Sequence, residues 1–393
     1  MNRARHNSID PRTRLRVLAL ASLWPSRFAP SQGIFNFQRF SALAQLADMA
    51  LVSPVPFPQL WRRPPGRPPQ DPFPVRRPVF WYPPRLGRGL HGRLMLACSW
   101  PALRALARDS RPQVFLANWA YPDGWAGVRA AGRLGLPAVL QILGSDLNYL
   151  ANDKARLPYI MQALSGAAHV TTVSAALREK AISLGVPPGK VTVLPNGVNS
   201  DLFHPRDKLL ARGRLGLPGD GRLVLFVGNL TPEKGPEVII RALSLLPPGV
   251  RLIMLGAGPL AGRLRDMAGR LGLAGRIHWP GPTPHAKVAD YMAACDCLAL
   301  PSLREGEPNA VLEALASGRP VAASRVGGVP ALVRDGAQGW LADPGDHGSL
   351  VQALTKVLAQ SWNPQDLAAS VAQRTWRANA SQLHGILSQV RGS

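Results

Sequence analysis

Residues 301–318 read Pro301-Ser-Leu-Arg-Glu305-Gly306-Glu307-Pro308-Asn309-Ala310-Val-Leu-Glu313-Ala-Leu-Ala-Ser-Gly318, directly after the short apolar run Cys297–Leu300. Four apolar residues that end in a loop rich in Pro and Gly mark a buried parallel strand. The stretch after Pro308 carries good helix formers and stops at Gly318, a residue suited to the left-handed conformation beyond a helix end. Strand, loop and helix in this order are half of a βαβ unit, so the segment predicts an α/β fold with a parallel sheet. Pro308 suits a place at or just before the helix start. The first-turn N–H groups, which lack intrahelical partners, can then meet a phosphate or sugar oxygen. Glu305 precedes that turn and Glu313 lies about one turn inside the helix. Each carboxylate is a pure acceptor, matched to donors such as a sugar hydroxyl or a ribose diol. Taken singly, Glu305 and Glu307 would also fit a solvated loop, and Glu313 a helix surface.

The same order of elements recurs upstream. Phe226-Val-Gly228-Asn229-Leu-Thr-Pro-Glu-Lys234-Gly235 is again strand, tight loop and helix start. Gly228 permits close backbone approach, and Lys234 stands where the helix macrodipole disfavours a cation, which suggests an anionic ligand. Leu255-Gly256-Ala-Gly258-Pro259 follows the apolar run Val250–Leu255 and could wall a nucleotide base or ribose. As a dinucleotide fingerprint it is weak, because Gly262 falls one position late and no acidic residue follows about 20 residues on. No G-x-x-x-x-G-K-[ST] loop occurs, which excludes a P-loop NTPase, and no D-x-D pair occurs to hold a metal on a diphosphate.

Further outward, short apolar runs alternate with helical patterns along nearly the whole chain. Leu15–Leu23 predicts a strand, Phe37–Leu46 a helix, and Trp24–Ile34 the loop between them. From Val114 to Leu194 and again from Leu223 to Ala323 the strand and helix rhythm repeats, predicting two Rossmann-like, doubly wound domains. The charged, Gly-rich stretch Arg206–Arg222 is expected to join them. The expected organisation is a first domain over residues 1–205, a second over 206–363, and a C-terminal helix over 364–393 that crosses back to the first. Residues 54–92, dense in Pro, Arg and aromatic side chains, read as a long surface excursion with one strand at Val75–Tyr82.

The chain has 393 residues, with Lys+Arg 46 against Asp+Glu 23 and a net charge of +23. Of the cations 39 are Arg and 7 Lys, so a codon-composition bias accounts for part of the excess. Residues 1–110 contain 17 Arg, no Lys and 4 Asp, a net +13, so the first domain is the basic one. Such a field favours an anionic surface, such as phospholipid headgroups or a lipid-linked phosphate acceptor. A nucleic-acid partner is not expected, since no base-reading motif is present. Cys98, Cys295 and Cys297 are too few for a disulfide framework and read as buried free thiols. No apolar run reaches the roughly 18 residues of a membrane span. Met1–Arg16 holds five Arg ahead of a short apolar segment, but Trp24 and Pro25 end that segment without a small-residue cleavage site. The expectation is a cytoplasmic protein, peripheral at the inner face of the membrane.

Five landmarks in order resemble the retaining, family-four glycosyltransferases of the GT-B fold. Glu305 and Glu313 match the E-x7-E motif, Gly228–Gly235 the G-x-L-x-x-x-K-G loop, and Gly256-Ala-Gly258-Pro259 the G-x-G-P turn. Pro195-Asn196-Gly197-Val198 with Phe203 and Pro205 is similar to the family's interdomain segment, and Gly327-Gly328-Val329-Pro330 to its G-G-x-P turn. Gly33-Ile34-Phe35, Trp119–Gly124 and Gly144-Ser145-Asp146 resemble acceptor-side loops of members that build bacterial surface polysaccharides. The resemblance implies transfer of a sugar from a nucleotide-sugar to a glycan or lipid-linked acceptor, with retention, no metal and no cofactor. It implies Glu305, Lys234 and Asp146 as catalytic residues, with Lys234 on the donor diphosphate and Glu305 on the transferred sugar. Donor binding is carried over onto Gly228, Asn229, Gly256, Gly258, Gly306, Pro308, Asn309, Ala310 and Glu313, the last at the ribose. Gly33, Ile34 and Trp119 are implied on the acceptor side.

Three positions depart from the pattern. Leu143 stands where many relatives have His, Asn229 where many have Arg, and Ala331 where Glu is usual. Asn229 offers only neutral hydrogen bonds, about half as strong as charge-assisted ones. These changes motivate a second reading, a catalytically lapsed subunit of a polysaccharide-assembly complex. A nucleotide-sugar epimerase would need acid and base side chains in the cleft, whereas His204 and His285 are expected in connecting loops.

Overall fold

The computed structural model describes residues 14–61, 68–83 and 87–392. Most of the basic leader and parts of the 54–92 excursion lie outside these residues. The chain divides into two units, each with its own parallel sheet.

The first unit contains β1 (Leu15–Leu20), β2 (Ala47–Val52), β3 (Val55–Pro56), β4 (Val75–Arg76), β5 (Val79–Phe80), β6 (Val114–Asn118), β7 (Ala138–Ile142), β8 (His169–Thr172) and β9 (Val191–Val193). Its seven-stranded sheet runs β4-β2-β1-β6-β7-β8-β9, all parallel. β6 and β7 are buried at every position, the pattern of parallel strands covered on both faces. The order reverses between β1 and β6, and the loops beyond their carboxyl ends flank the crevice where such sheets take ligands.

The expected strand at Val75–Tyr82 is instead two two-residue strands. Pro78 lacks the N–H that a continuous ladder needs. β4 joins the main sheet beside β2, while β5 pairs with β3 in a separate two-stranded sheet. The last helix, Trp376–Arg391, places Ala380, Leu383, Leu387 and Val390 in the core of this first unit with Val17, Phe40 and Leu116. Their spacing of three and four residues lines one helix face.

The second unit is built on β10 (Arg222–Val227), β11 (Val250–Leu255), β12 (Ile277–Gly281), β13 (Cys297–Leu300), β14 (Val321–Ser324) and β15 (Gly339–Ala342), ordered β12-β11-β10-β13-β14-β15 and parallel throughout. Its switch point lies between β10 and β13. Two apolar layers cover the sheet, one around Phe203, Leu225 and Leu315, the other around Phe226, Ile240 and Leu354.

The division falls elsewhere than the sequence suggests. The second unit takes in Pro195–Ala378 and the short piece Val173–Leu177, while Asn379–Ser393 belongs to the first. Val198 and Phe203 are core residues of the second unit, which moves the boundary upstream of residue 205. Leu367 and Val371 are too, so the tail leaves that unit only after Ala378. Nor is Arg206–Arg222 a linker. Asp207 caps the Lys208–Arg214 helix by accepting from Leu210 N, and Arg212, 2% exposed, donates to the carbonyls of Ala294 and Gly219 and to Asp296. Asp296 also binds Lys208 Nζ at 2.6 Å and Leu223 N at 2.7 Å. Arg212 and Lys208 of this stretch are thus tied into the fold through Asp296.

Cys295 and Cys297 are buried free thiols, and burial pushes Cys295 up to about 12. Cys98 is only half-buried. Among the described residues no helix is long and apolar enough to cross a membrane.

Candidate active site

In the second unit, the loops after β10 and β13 sit on either side of the switch point. The first runs from Gly228 through the short turn Pro232–Lys234 into the Pro236–Leu245 helix. The second carries Ser302, Glu305 and Glu307 into the Asn309–Ala316 helix, with Pro308 as its extended N-cap and Gly318 left-handed beyond its end. Leu303 N donates to Glu233 O at 2.8 Å and ties the two loops together. Across them Lys234 Nζ donates to Glu305 Oε1 at 2.7 Å, and Ser302 Oγ donates to the same oxygen at 2.6 Å. Glu305 is 8% exposed, so it is a held carboxylate and not a solvated loop charge. Ser302, which the sequence reading passed over, is fully buried beside it.

Two glycine turns complete this frame. A Cβ at Gly256 would lie 1.9 Å from Gly228 O, and one at Gly258 2.4 Å from Leu230 O. These glycines therefore let the turns after β11 and β10 touch, with Leu230 N bonded to Ala257 O at 2.9 Å. Asn229 at the tip is exposed. After β14, Gly328 N donates to Gly306 O at 2.8 Å. Gly327 has φ +53°, and a Cβ there would stand 2.1 Å from Glu305 O. Only glycine fits this left-handed, crowded position.

Glu307 is also buried, at 8% exposure, and its work is internal. Its carboxylate accepts from the Asn196 main-chain N–H and from Arg374 Nη1 at 3.2 Å, while Asn196 Nδ2 donates to Glu307 O at 3.1 Å. The Pro195–Val198 segment and the approach to the last helix are thus fastened to the site loop. The sequence signal was the Pro195-Asn196-Gly197 motif, but its partner could not be named from it.

Glu313 meets His285, with Nε2 and Oε1 2.7 Å apart and side chains 13% and 17% exposed. His285 is not in a connecting loop as expected but is the first residue of the His285–Ala294 helix, its ring against Phe203 at 5.1 Å. Burial pulls its imidazole down, yet the hydrogen bond and charge of Glu313 outweigh this and leave it above the ordinary histidine value. Asn309 and Ala310, at the helix start, are half-buried.

In the first unit, Gly33 is the left-handed N-cap of the Ile34–Leu43 helix. Asp146 is fully buried and faces main chain. Its oxygens accept from Gly144 N at 2.7 Å, Leu143 N at 3.1 Å, Ala120 N at 3.2 Å and Leu147 N at 3.1 Å, locking the loop after β7 to the loop after β6. Burial raises its carboxyl above the usual range while these amides pull it back. Trp119 has φ +72°, a strained value for a non-glycine residue, and its Nε1 donates to Ser145 Oγ at 3.0 Å. Asp123, part of the Trp119–Gly124 segment but not singled out within it, is fully buried and accepts from the main-chain N–H of Ser22 and from Ser22 Oγ at 3.0 Å. Burial pushes its carboxyl up to about 7. Among the described residues no cluster of three or more His, Cys, Asp or Glu could hold a metal ion.

Residues 207–375 match the family described as Glycosyl transferases group 1, and residues 39–197 match a Glycosyl transferase 4-like domain. A Bacillus subtilis protein named as the teichuronic acid biosynthesis glycosyltransferase TuaC is 31% identical over 396 residues, covering 94% of this chain and 97% of its own. Sucrose-phosphate synthase from Thermosynechococcus elongatus superposes with a TM-score of 0.79 at 23% identity, over 96% of this chain and 100% of that one. Anabaena HepE, solved with UDP and glucose, gives 0.75 at 23% identity over 95% and 100%. The two parallel-sheet units are those of a GT-B glycosyltransferase, and the chain belongs to the group 1 glycosyl transferases.

Proposed function

We propose that the protein transfers a sugar from a nucleotide-sugar to a glycan or lipid-linked acceptor in bacterial surface polysaccharide synthesis, with retention at the anomeric carbon and without a metal. The observation that carries this reading is the Lys234–Glu305 pair, set beside the start of the Asn309–Ala316 helix at the sheet's switch point. Lys234 would face the donor diphosphate, Glu305 a hydroxyl of the transferred sugar, and Glu313 the ribose. The first-turn amides would stabilise charge on the departing β-phosphate. The anomeric carbon's bond to the phosphate oxygen breaks, its bond to the acceptor oxygen forms on the same face, and the acceptor proton passes to the leaving phosphate. HepE, solved with UDP and glucose, and TuaC, named for teichuronic acid biosynthesis, support the donor and acceptor classes.

The test is nucleoside diphosphate release from UDP-, GDP- and ADP-sugars with EDTA present, in extracts supplying acceptor lipid. Release from one donor that survives EDTA, with an α-linked product from an α-linked donor, is the expected result. Release that stops with EDTA would remove the metal-free mechanism. An inverted product would remove retention, and silence with every donor would favour the lapsed subunit.

A lipid-surface contact belongs to the same proposal. Phe57 stacks on Trp81 at 5.9 Å and meets Trp61 edge-on at 5.7 Å, and these tryptophans are 57% and 83% exposed. Leu60 and Val79 are exposed as well. Exposed tryptophans within residues 1–110, a stretch of net +13, fit the interface of an anionic bilayer, where amphipathic rings sit at headgroup depth.

A further inference from the structure

We propose that His285 is a positioning residue that presents Glu313 to the nucleotide's ribose, and so sets how strongly the protein discriminates a ribose from a 2′-deoxyribose. This rests on the ribose role given to Glu313 above.

A glutamate on a helix has three rotatable side-chain bonds, and a carboxylate that swings freely makes a poor receptor for a diol. Here one oxygen is taken. His285 Nε2 holds Glu313 Oε1 at 2.7 Å, and Oε2 has no protein partner among the described residues. The imidazole is itself fixed on its other sides. It begins the His285–Ala294 helix, its ring packs on Phe203, and Phe203 is 1% exposed in the core. Core, ring and carboxylate form a chain of contacts that ends in one unpartnered acceptor oxygen. A cation at a helix start is opposed by the macrodipole, and burial opposes it again. The contact that outweighs both is the one to Glu313 Oε1, and Glu313 is the one carboxylate assigned to the ribose. Both residues lie in the same unit, so the contact needs nothing from elsewhere.

The experiment uses the full chain. Calorimetry with UDP, GDP and ADP first finds the nucleotide that binds, and the same nucleotide is then compared with its 2′-deoxy form. In the wild type, loss of the 2′-hydroxyl should weaken binding about tenfold, the scale of one hydrogen bond to a charged group. His285→Ala should weaken the ribonucleotide about tenfold and shrink the deoxy discrimination to roughly twofold, because coupled contacts are not additive. In turnover assays the loss should fall on donor KM more than on kcat. His285→Gln, whose amide reaches the Nε2 position, should restore most of the discrimination, and His285→Asn, too short to reach, should not. The asparagine variant carries the same reading if the alanine variant does not fold.

Undiminished discrimination in both short variants, beside a Glu313→Ala variant that has lost it, would overturn the role of His285 alone. Discrimination that survives Glu313→Ala would instead overturn the ribose role of Glu313. Absence of binding by all three nucleotides would overturn the donor reading and this inference with it.

Discussion

Lys234 and Glu305 stand 71 positions apart in the chain and 2.7 Å apart in space, each carried by a loop at the carboxyl end of a strand bordering the same switch point. The pair therefore depends on both βα units being in register. Glu305→Gln should lower turnover by about 10²- to 10³-fold, the scale of losing one preorganised charge interaction, with melting unchanged within about 2 °C. Lys234→Ala should cost a similar factor, and the double variant little more, because the two groups act as a unit. Nucleoside diphosphate release and a melting curve on each variant check this.

Gly327→Ala tests the frame instead of the charges. With φ +53° and the Glu305 carbonyl 2.1 Å from a Cβ, either the turn or the Glu305 loop must move. The strain should cost about 2 kcal/mol and lower the melting point by roughly 4 °C. Turnover should fall at least tenfold, since displacements near 1 Å in a positioned group are that costly. Wild-type turnover in a folded alanine variant would show the loop to be more tolerant than its packing indicates.

Asp123 gives a pH signature to the first unit. Its carboxyl rises from an ordinary 3.8 to about 7 in the folded chain. Between those values the folded state holds a proton that the unfolded chain has lost, so this group's contribution falls as pH rises from about 4 to about 7. Asp123→Asn keeps the shape, and its amide can donate to Ser22 Oγ while its carbonyl accepts from Ser22 N. The variant should melt above the wild type at pH 8, and the gap should close near pH 4.5. A gap independent of pH would contradict the assignment.

Asp296 behaves oppositely. Burial pushes its carboxyl up, but Lys208, the Leu223 N–H and Arg212 together bring it below the ordinary value. Its contribution is present at neutral pH and is lost as pH falls below the usual carboxylate range. Asp296→Asn leaves the buried Arg212 without its charge partner and should destabilise the protein by about 3 kcal/mol. Urea unfolding at pH 7 and at about pH 2.5 would show the difference shrinking in acid.

For the lipid surface, Trp61→Ala with Trp81→Ala should reduce binding to vesicles containing phosphatidylglycerol at least tenfold, given the apolar area each ring removes from water. Binding should also weaken as salt rises through one Debye length. Equal binding to neutral phosphatidylcholine vesicles would remove the electrostatic part, and an unaffected double variant the aromatic part.

The α/β architecture was legible because strands buried on both faces leave unbroken apolar runs such as Val250–Leu255, and the loops after them declare themselves by glycine and proline. Side-chain partners were harder to read. Glu305 and Lys234 are motif residues, yet nothing local says that they touch. Glu307 and Asp146 look alike on paper, acidic residues in Gly-containing loops, and both turn out to satisfy main-chain amides. Asp123 and His285 were missed or misplaced because their roles arise from strand ends and helices that are distant in sequence. The Arg206–Arg222 stretch misled for the same reason, since charge density reads as solvent exposure until Asp296 is found 84 residues after Arg212.

Glu307 carries one more consequence. A loop whose carboxylate is saturated by the Asn196 amide and by Arg374 has already lost its conformational freedom when the chain folds. Nucleotide capture by this unit should then proceed without a disorder-to-order step. Its heat-capacity change should match the surface covered by the ligand alone, and the Asn196 amide should exchange with deuterium as slowly in the empty protein as in the liganded one.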